Sequence, residues 1–239
     1  MVDFFKKIFL KEQFYPSFLG ILINPFYFAR LGLVTAIQSM SASIKGKTLD
    51  IGCGQKPYKM LFASTEYIGL EIDTVENRKN KHADFYYDGK IFPFNKNEFD
   101  SVVMFQVFEH VFNPDEVLSE VNRVLKPGGN ILLTVPFVWD EHEQPYDFAR
   151  YSSYGLKAIL IKHGFEVVEQ HKSLDDIRVI FQLINAYIYK TTVSSNKYIN
   201  MLLMVVLMSP FNIVGQLLFL ILPQNKDLYL DNIVLAKRS

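Results

Sequence analysis

Lys47–Tyr58 reads KTLDIGCGQKPY, and the reading of this stretch decides the fold. Lys47–Ile51 has the branched and apolar residues of a short strand. Gly52, Cys53 and Gly54 follow at once, and Pro57 suits the first turn of a helix predicted over Tyr58–Ala63. Glycines after a strand let a ligand approach the backbone, and a following helix would present free N–H groups to an anion. Downstream, Glu66–Ile72 (EYIGLEI) reads as a second strand, with Glu71 near its end. An acid placed about 20 residues beyond the glycines can bind the two hydroxyls of a ribose. Strand, glycine loop, helix and acid together predict a nucleotide-type site.

The alternation continues outward. Ala83–Tyr87, Phe99–Phe105, Asn130–Pro136 and Phe165–Gln170 read as further strands, and Asn232–Ala236 as the last. Asn113 caps a helix that opens on Pro114, with Asp115 and Glu116 in its first turn. Its apolar face is Val117, Leu118, Val121, Val124 and Leu125, and Lys126–Gly129 stops it. Ser152–His163 is a second helix, closed by Gly164. Strands alternating with helices predict an α/β, Rossmann-like, doubly wound sheet.

The chain has 239 residues, 49% hydrophobic and 21% charged, which is a folded composition. Its 25 basic and 25 acidic residues cancel, so no general attraction to nucleic acid is expected. The aromatic flanks lack the interleaved basic residues of a nucleic-acid stacking platform. Cys53 is the one cysteine, which excludes an internal disulfide, a CxxC pair and an all-cysteine zinc site. A reducing, cytoplasmic compartment fits this count.

The cofactor can be narrowed. A dinucleotide loop wants a third glycine over the pyrophosphate, and Pro57 stands there instead. Asp50, just before the first glycine, suits a ligand with an ammonium group. These features disfavour NAD and favour S-adenosylmethionine. LDIGCGQKPY, EYIGLEID, DGKIFPFNKNEFDSVV, FEHV and LKPGG together resemble the class I methyltransferases, in particular the type-11 family related to the ubiquinone-biosynthesis enzymes. The resemblance implies a seven-stranded sheet with an antiparallel last strand. It implies that Asp50, Gly52, Cys53 and Gly54 form the methionine-side loop and that Glu71 and Ile72 flank the ribose. It implies that Asp88 meets the adenine amino group beside Gly89, and that Phe105 and Gln106 lie near the transferring methyl. NPFYFARLGL and HEQPYDFARYSSYGL resemble a bacterial subgroup of the same family.

Methyl transfer to oxygen or nitrogen can need a base. An open sheet puts its ligand beyond the strand ends, so the candidates lie after the fourth and fifth strands. They are His110 and the cluster of His142, Glu143, Tyr146, Asp147, Arg150 and Tyr151; His142, Asp147, Arg150 and His110 are the predicted catalytic set. Asp140, His142, Glu143 and Asp147 lack a second well-placed histidine, so no metal is expected.

The flanks are apolar. Gln13–Ala29 is uncharged but broken by Pro16, Gly20, Asn24 and Pro25, and Arg30–Ile44 reads as one helix. No cleavage-site pattern of a secretory signal follows the N-terminus. Phe4–Leu10, with Lys6, Lys7 and Lys11, reads as an interfacial helix giving modest, reversible contact with the cytoplasmic face of a membrane. Ile199–Leu222 carries no charge, but Pro210, Asn212, Gly215 and Gln216 predict a helical hairpin rather than a span. The expected organisation is an N-terminal helical flank over 1–45, a methyltransferase core over 46–171, an apolar insertion or cap over 172–228, and the last strand over 229–239. The expected acceptor is a small molecule or a lipid- or glycan-linked group, and the apolar flanks predict peripheral membrane contact or a homodimer. The rival functions are a nucleotide-dependent oxidoreductase and a membrane-associated cofactor-binding protein without catalysis.

Overall fold

The computed structural model describes residues 11–239, so the Phe4–Leu10 segment lies outside the described residues. The chain divides into two compact units. One comprises Ala36–His171 and Asp231–Ser239, the other the residues up to Thr35 and Lys172–Leu230. Residues 36–45, grouped by sequence with the N-terminal flank, fall in the first of these.

That unit holds a seven-stranded sheet in the order β3-β2-β1-β4-β5-β7-β6. The strands are β1 Lys45–Ile51, β2 Ala63–Ile72, β3 Phe85–Tyr87, β4 Phe99–Phe105, β5 Leu125–Pro136, β6 Phe165–Lys172 and β7 Asp231–Arg238. Strands β3, β2, β1, β4 and β5 run parallel, and β7 lies antiparallel to β5. Central parallel strands are covered on both faces, which is why β4 is a nearly continuous apolar run with Val102, Val103 and Met104 fully buried. Leu49, Ile51, Leu70 and Leu133 pack with Val117, Leu118, Val121 and Val124 of one helix and Leu156 and Leu160 of another.

Several local expectations change. No helix spans Tyr58–Ala63: a short 3₁₀ turn, Lys59–Leu61, stands there, and β2 begins at Ala63. A parallel crossover needs roughly a dozen residues or more to carry a helix. Residues 52–62 are too few, and that outweighs the helix signal of Pro57. The first helix, α1, runs Tyr27–Met40 and tightens to a 3₁₀ turn at Ser41–Ser43, rather than spanning Arg30–Ile44. A helix missed by sequence, α2 Val75–Asn80, starts where Thr74 Oγ1 accepts the Asn77 N–H at 3.1 Å. At α3, Pro114–Val124, Asn113 occupies the cap position, but its side chain donates to Glu116 at 3.4 Å instead of capping. In α4, Ser153–Lys162, the Ser152 hydroxyl does cap, accepting the Gly155 N–H.

The other unit is helical. Beside α5, Arg178–Thr192, runs α6, Lys197–Phe219, as one continuous helix and not a hairpin. Its Met204–Met208 turn widens to a π-helix just before Pro210. A proline ring presses on the carbonyl four residues back, and a π turn relieves that contact without breaking the helix. Asn212, read from sequence as an interruption, is fully interior. Its Nδ2 donates to the carbonyls of Ile21 and Asn24 at 2.9 and 3.2 Å, and its Oδ1 accepts from Asn185 at 2.9 Å. Gln182 donates to Pro25 O and accepts the Ala29 N–H, both at 3.0 Å. Gln182 and Asn212 thus satisfy the broken backbone around Asn24 and Pro25, with Asn185 holding the Asn212 amide, and the two apolar flanks pack together.

Replacing Asn212 with leucine leaves these buried groups unpaired, at about 1–3 kcal/mol each. Urea denaturation of Asn212→Leu should show a clearly lowered midpoint at unchanged slope. An unchanged midpoint would mean that the network is dispensable.

Candidate functional site

The loop after β1 is shaped by its two glycines. Gly52 has φ +65°, and a Cβ there would lie 2.4 Å from Val107 Cγ2, so only glycine lets the β1 loop pass the β4 loop. Gly54 has φ +46°, and a Cβ there would meet nothing within 4 Å. Its backbone therefore faces open space that a ligand can enter. The Gly54 N–H donates to Glu71 Oε1 at 2.7 Å, tying the loop to the end of β2, while Asn77 Nδ2 is 3.4 Å from Glu71 Oε2. Burial raises the Glu71 pKa, against the lowering pull of the Gly54 and Ile72 amides. The structure thus brings together Asp50, Gly52, Cys53, Gly54, Glu71 and Ile72.

The path beyond Gly54 explains the missing third glycine. Lys56 takes φ +53°, and its Nζ lies 2.5 Å from Asp84 Oδ2, which also accepts the Gly69 N–H at 2.7 Å. The loop is pinned down by this ion pair and leads into the 3₁₀ turn. With only that turn after it, there is no helix N-terminus to hold a pyrophosphate, which argues against a dinucleotide.

Cys53 packs under the loop. Burial, then the charges of Asp50 and Glu71, pushes its thiol up to about 12, so it is no nucleophile. Asp50 is buried too. Burial pushes its carboxyl up to about 7, opposed by the Tyr67 hydroxyl, which donates to Oδ2 at 2.8 Å. Asp88 follows β3, and its Oδ1 accepts the Lys90 and Ile91 N–H groups at 2.9 and 3.1 Å, which hold its pKa down. Gly89 beside it takes φ +86°. Phe105 stacks on Phe62 and meets Tyr58 edge-on. Gln106, at φ +55°, sits at the end of β4, but its side-chain nitrogen is committed to Thr134 Oγ1 and Asp231 Oδ1 at 3.2 and 3.3 Å. It ties three strand ends together.

The loops after β4 and β5 meet over one residue that sequence reading passed over. Glu109 is fully buried, and neither carboxylate oxygen has a hydrogen-bond partner among the described residues. Burial pushes its pKa up to about 8. His110 Nε2 and His142 Nε2 each stand 3.9 Å from Glu109 Oε1, and the two rings meet edge-on with centroids 4.8 Å apart. The Glu109 carbonyl accepts the N–H groups of Phe148 and Ala149, which holds the β5 loop in place. Asp147 accepts both Arg150 terminal nitrogens, at 2.5 and 2.6 Å, and the His142 N–H at 3.0 Å. The Arg150 guanidinium holds the Asp147 carboxyl well below the usual range. This pair shapes the loop that carries His142. Tyr146 contributes its carbonyl to His110, and Tyr151 stacks on Phe108. Glu143 lies 3.8 Å from His110, and its charge also raises the Glu71 pKa, so the histidines and the β2 end share one neighbourhood. FEHV was the signal for Glu109: an acid beside the histidine already singled out.

A glycine loop tied to an acid at the next strand end, in a sheet of this order, is the arrangement expected of a class I methyltransferase fold. Residues 49–133 match the family model described as a methyltransferase domain. An uncharacterised protein of Methanocaldococcus jannaschii is 27% identical over 139 residues, covering 56% of this chain and 59% of that one. The demethylmenaquinone methyltransferase of Staphylococcus haemolyticus is 31% identical over 109 residues, covering 40% of this chain and 46% of that one. The matched stretch thus spans about half the length of these relatives. Phosphoethanolamine N-methyltransferase 2 of Haemonchus contortus, solved with phosphomonomethylethanolamine and S-adenosylhomocysteine, superposes with a TM-score of 0.56 at 20% identity, covering 97% of this chain and 57% of that one. Over residues 49–133 the chain is thus similar to methyltransferase domains, and S-adenosylmethionine is the cofactor that this similarity supports.

Two outcomes follow. Glu71→Ala removes the Gly54 tether and the carboxylate expected to take the ribose, and should weaken S-adenosylhomocysteine binding by calorimetry at about 1.5–3 kcal/mol per charge-assisted bond lost. Unchanged affinity would remove Glu71 from the site. Asp50 binds its proton more tightly folded than unfolded, so its contribution is whole below the ordinary carboxylate range and is lost as pH climbs through about 7. Asp50→Asn should therefore melt several degrees above the parent at pH 8 and near it at pH 5, by calorimetric scans. An equal difference at both values would contradict the buried charge.

Proposed function

We propose that the protein methylates an oxygen or nitrogen of a lipid-linked acceptor at the cytoplasmic face of a membrane. The Gly54–Glu71 tether beside an open loop carries the cofactor half of this reading. S-adenosylmethionine held here would supply a methyl group activated by its sulfonium, with the thioether as its leaving group. In this reading Glu71 takes the ribose, Gly54 lets the ligand reach the backbone, and Asp50 answers the ammonium end. Holding the two reactants in line provides much of the acceleration. Glu109, His110 and His142 make an electron-rich face for an acceptor hydroxyl or amine, which must shed its proton as the new bond forms. Asp147 and Arg150 act as positioning residues, fixing the loop that presents His142.

The lipid half rests on α6. Leu202, Val206, Ile213 and Leu217 recur along it at near-helical spacing and are all exposed. A contiguous exposed apolar face marks a membrane or partner surface. The helix is long and apolar enough to cross a bilayer. Yet β6 and β7 are neighbours in one sheet, and α6 is the one such helix among the described residues between them. A single crossing would part those strands, which favours a helix lying on one side. The S. haemolyticus relative, named for demethylmenaquinone, is consistent with an apolar acceptor.

Three measurements check this. S-adenosylmethionine and S-adenosylhomocysteine should raise the melting temperature and NAD should not; stabilisation by NAD alone would restore the oxidoreductase reading. The full chain should co-sediment with anionic liposomes, and Leu202→Glu with Leu217→Glu should reduce that several-fold. Equal, negligible sedimentation of both would reject the membrane and leave a dimer contact. Asp147→Asn should cut turnover by on the order of 100-fold, the scale of a misplaced acid–base group, with cofactor affinity nearly intact. Parallel loss of affinity would place this loop on the cofactor side.

A further inference from the structure

The three side chains over the β4 end face one another in an unusual way. Neither oxygen of the buried Glu109 carboxyl has a hydrogen-bond donor among the described residues, which is costly for a buried polar group. His110 Nδ1 lies 2.7 Å from the Tyr146 carbonyl oxygen. A carbonyl can only accept, so Nδ1 carries the proton, and Nε2 of the neutral ring is left with its lone pair. His142 repeats the pattern: Nδ1 lies 3.3 Å from both the Asp140 carbonyl and Asp147 Oδ2, again acceptors. Both rings are thus oriented by carbonyl or carboxylate oxygens at Nδ1, and both aim an Nε2 lone pair at the same buried carboxylate. With the Glu109 proton removed, the three side chains set lone pair against lone pair.

A cation between them resolves the conflict. The donor atoms of Glu109, His110 and His142 all lie within 4.8 Å of one another, and each Nε2 is 3.9 Å from Glu109 Oε1. A tetrahedral ion about 2.1 Å from each donor wants them about 3.4 Å apart. Closing onto an ion takes about 0.5 Å for each Glu109–histidine pair and at most about 1.4 Å for the widest pair, within the reach of side-chain rotations. Histidines that hand their second nitrogen to a carboxylate or carbonyl are the usual support of metal ligands, because that bond fixes both tautomer and ring direction. The Tyr146 carbonyl does this for His110 and the Asp140 carbonyl for His142, while Asp147, 3.3 Å from His142 Nδ1, is itself clamped by Arg150.

We infer that Glu109, His110 and His142 bind a divalent metal ion of the zinc type, with one coordination position left for a ligand oxygen. Two imidazoles and one carboxylate suit zinc, cobalt or ferrous iron and fit calcium or magnesium poorly. Three protein donors around an open position is the arrangement of a site that works on a bound ligand rather than one that only holds the fold. The ion binding stands by itself; only its bearing on the acceptor rests on the methyltransferase reading.

The test uses the full chain, stripped of metal and titrated with Co²⁺ alone, then with Zn²⁺ as competitor. The expected result is one Co²⁺ per chain with the visible bands of nitrogen and oxygen coordination, displaced by Zn²⁺. Glu109→Gln, His110→Gln and His142→Gln should each weaken binding on the order of 100-fold or more, beyond the 10–100-fold typical of lost supporting contacts. Glu109→Gln removes a buried charge and should fold, and S-adenosylhomocysteine calorimetry on the same samples reports the cofactor pocket separately. No stoichiometric Co²⁺ binding by the parent overturns the site. So does binding retained by all three variants, which would assign the ion to surface pairs such as His163–Asp115 or His171–Glu169. Lost cofactor binding with Co²⁺ binding intact counts against the methyltransferase reading and not against the metal site.

Discussion

The hydrogen bond from the Gly54 N–H to Glu71 is the constraint on which the proposed pocket depends. It joins the loop after β1 to the end of β2, so the element that would receive the methionine moves with the residue that would receive the ribose. The bond needs a loop of little height. Gly52 must pass Val107 without a side chain, and Lys56 must fold back onto Asp84. Once the loop is so placed, its backbone faces open space at Gly54 and Cys53 fills the gap beneath. The absent helix after the loop belongs to the same economy: a sulfonium ligand with an amino-acid end has no pyrophosphate to bind.

The other unit is held by a different device. Its helices are apolar, but the chain around Asn24 and Pro25 is not regular and leaves carbonyls without partners. Gln182 and Asn212 supply them. Polar residues in an apolar helix are usually read as interruptions, and here they are the groups that bind two remote segments. That frees the opposite face of α6 to remain apolar and exposed.

How much of this was legible follows from where each signal lives. β4 matches its predicted limits residue for residue, because a strand covered on both faces is a nearly continuous apolar run. The juxtaposition of Glu71 with the glycine loop was legible because these residues lie along one stretch of chain. The helix over Tyr58–Ala63 misled because Pro57 is a local signal, whereas the shortness of the crossover is a property of two strands. The hairpin misled for a related reason: a π turn accommodates Pro210, and the partners of Asn212 lie at Ile21 and Asn24. Glu109 was hidden most deeply. Its neighbours His110 and His142 come from separate loops, and no spacing along the sequence announces that two ring nitrogens converge on one buried carboxylate.

The central claim is that Glu71 and the Gly54 loop form the S-adenosylmethionine pocket, and a crystal structure of the S-adenosylhomocysteine complex tests it most directly. The account predicts both ribose hydroxyls within hydrogen-bond distance of Glu71, with the amino-acid end along Asp50–Gly54. A ribose held by another carboxylate, or a ligand lying away from the β1 loop, would contradict it.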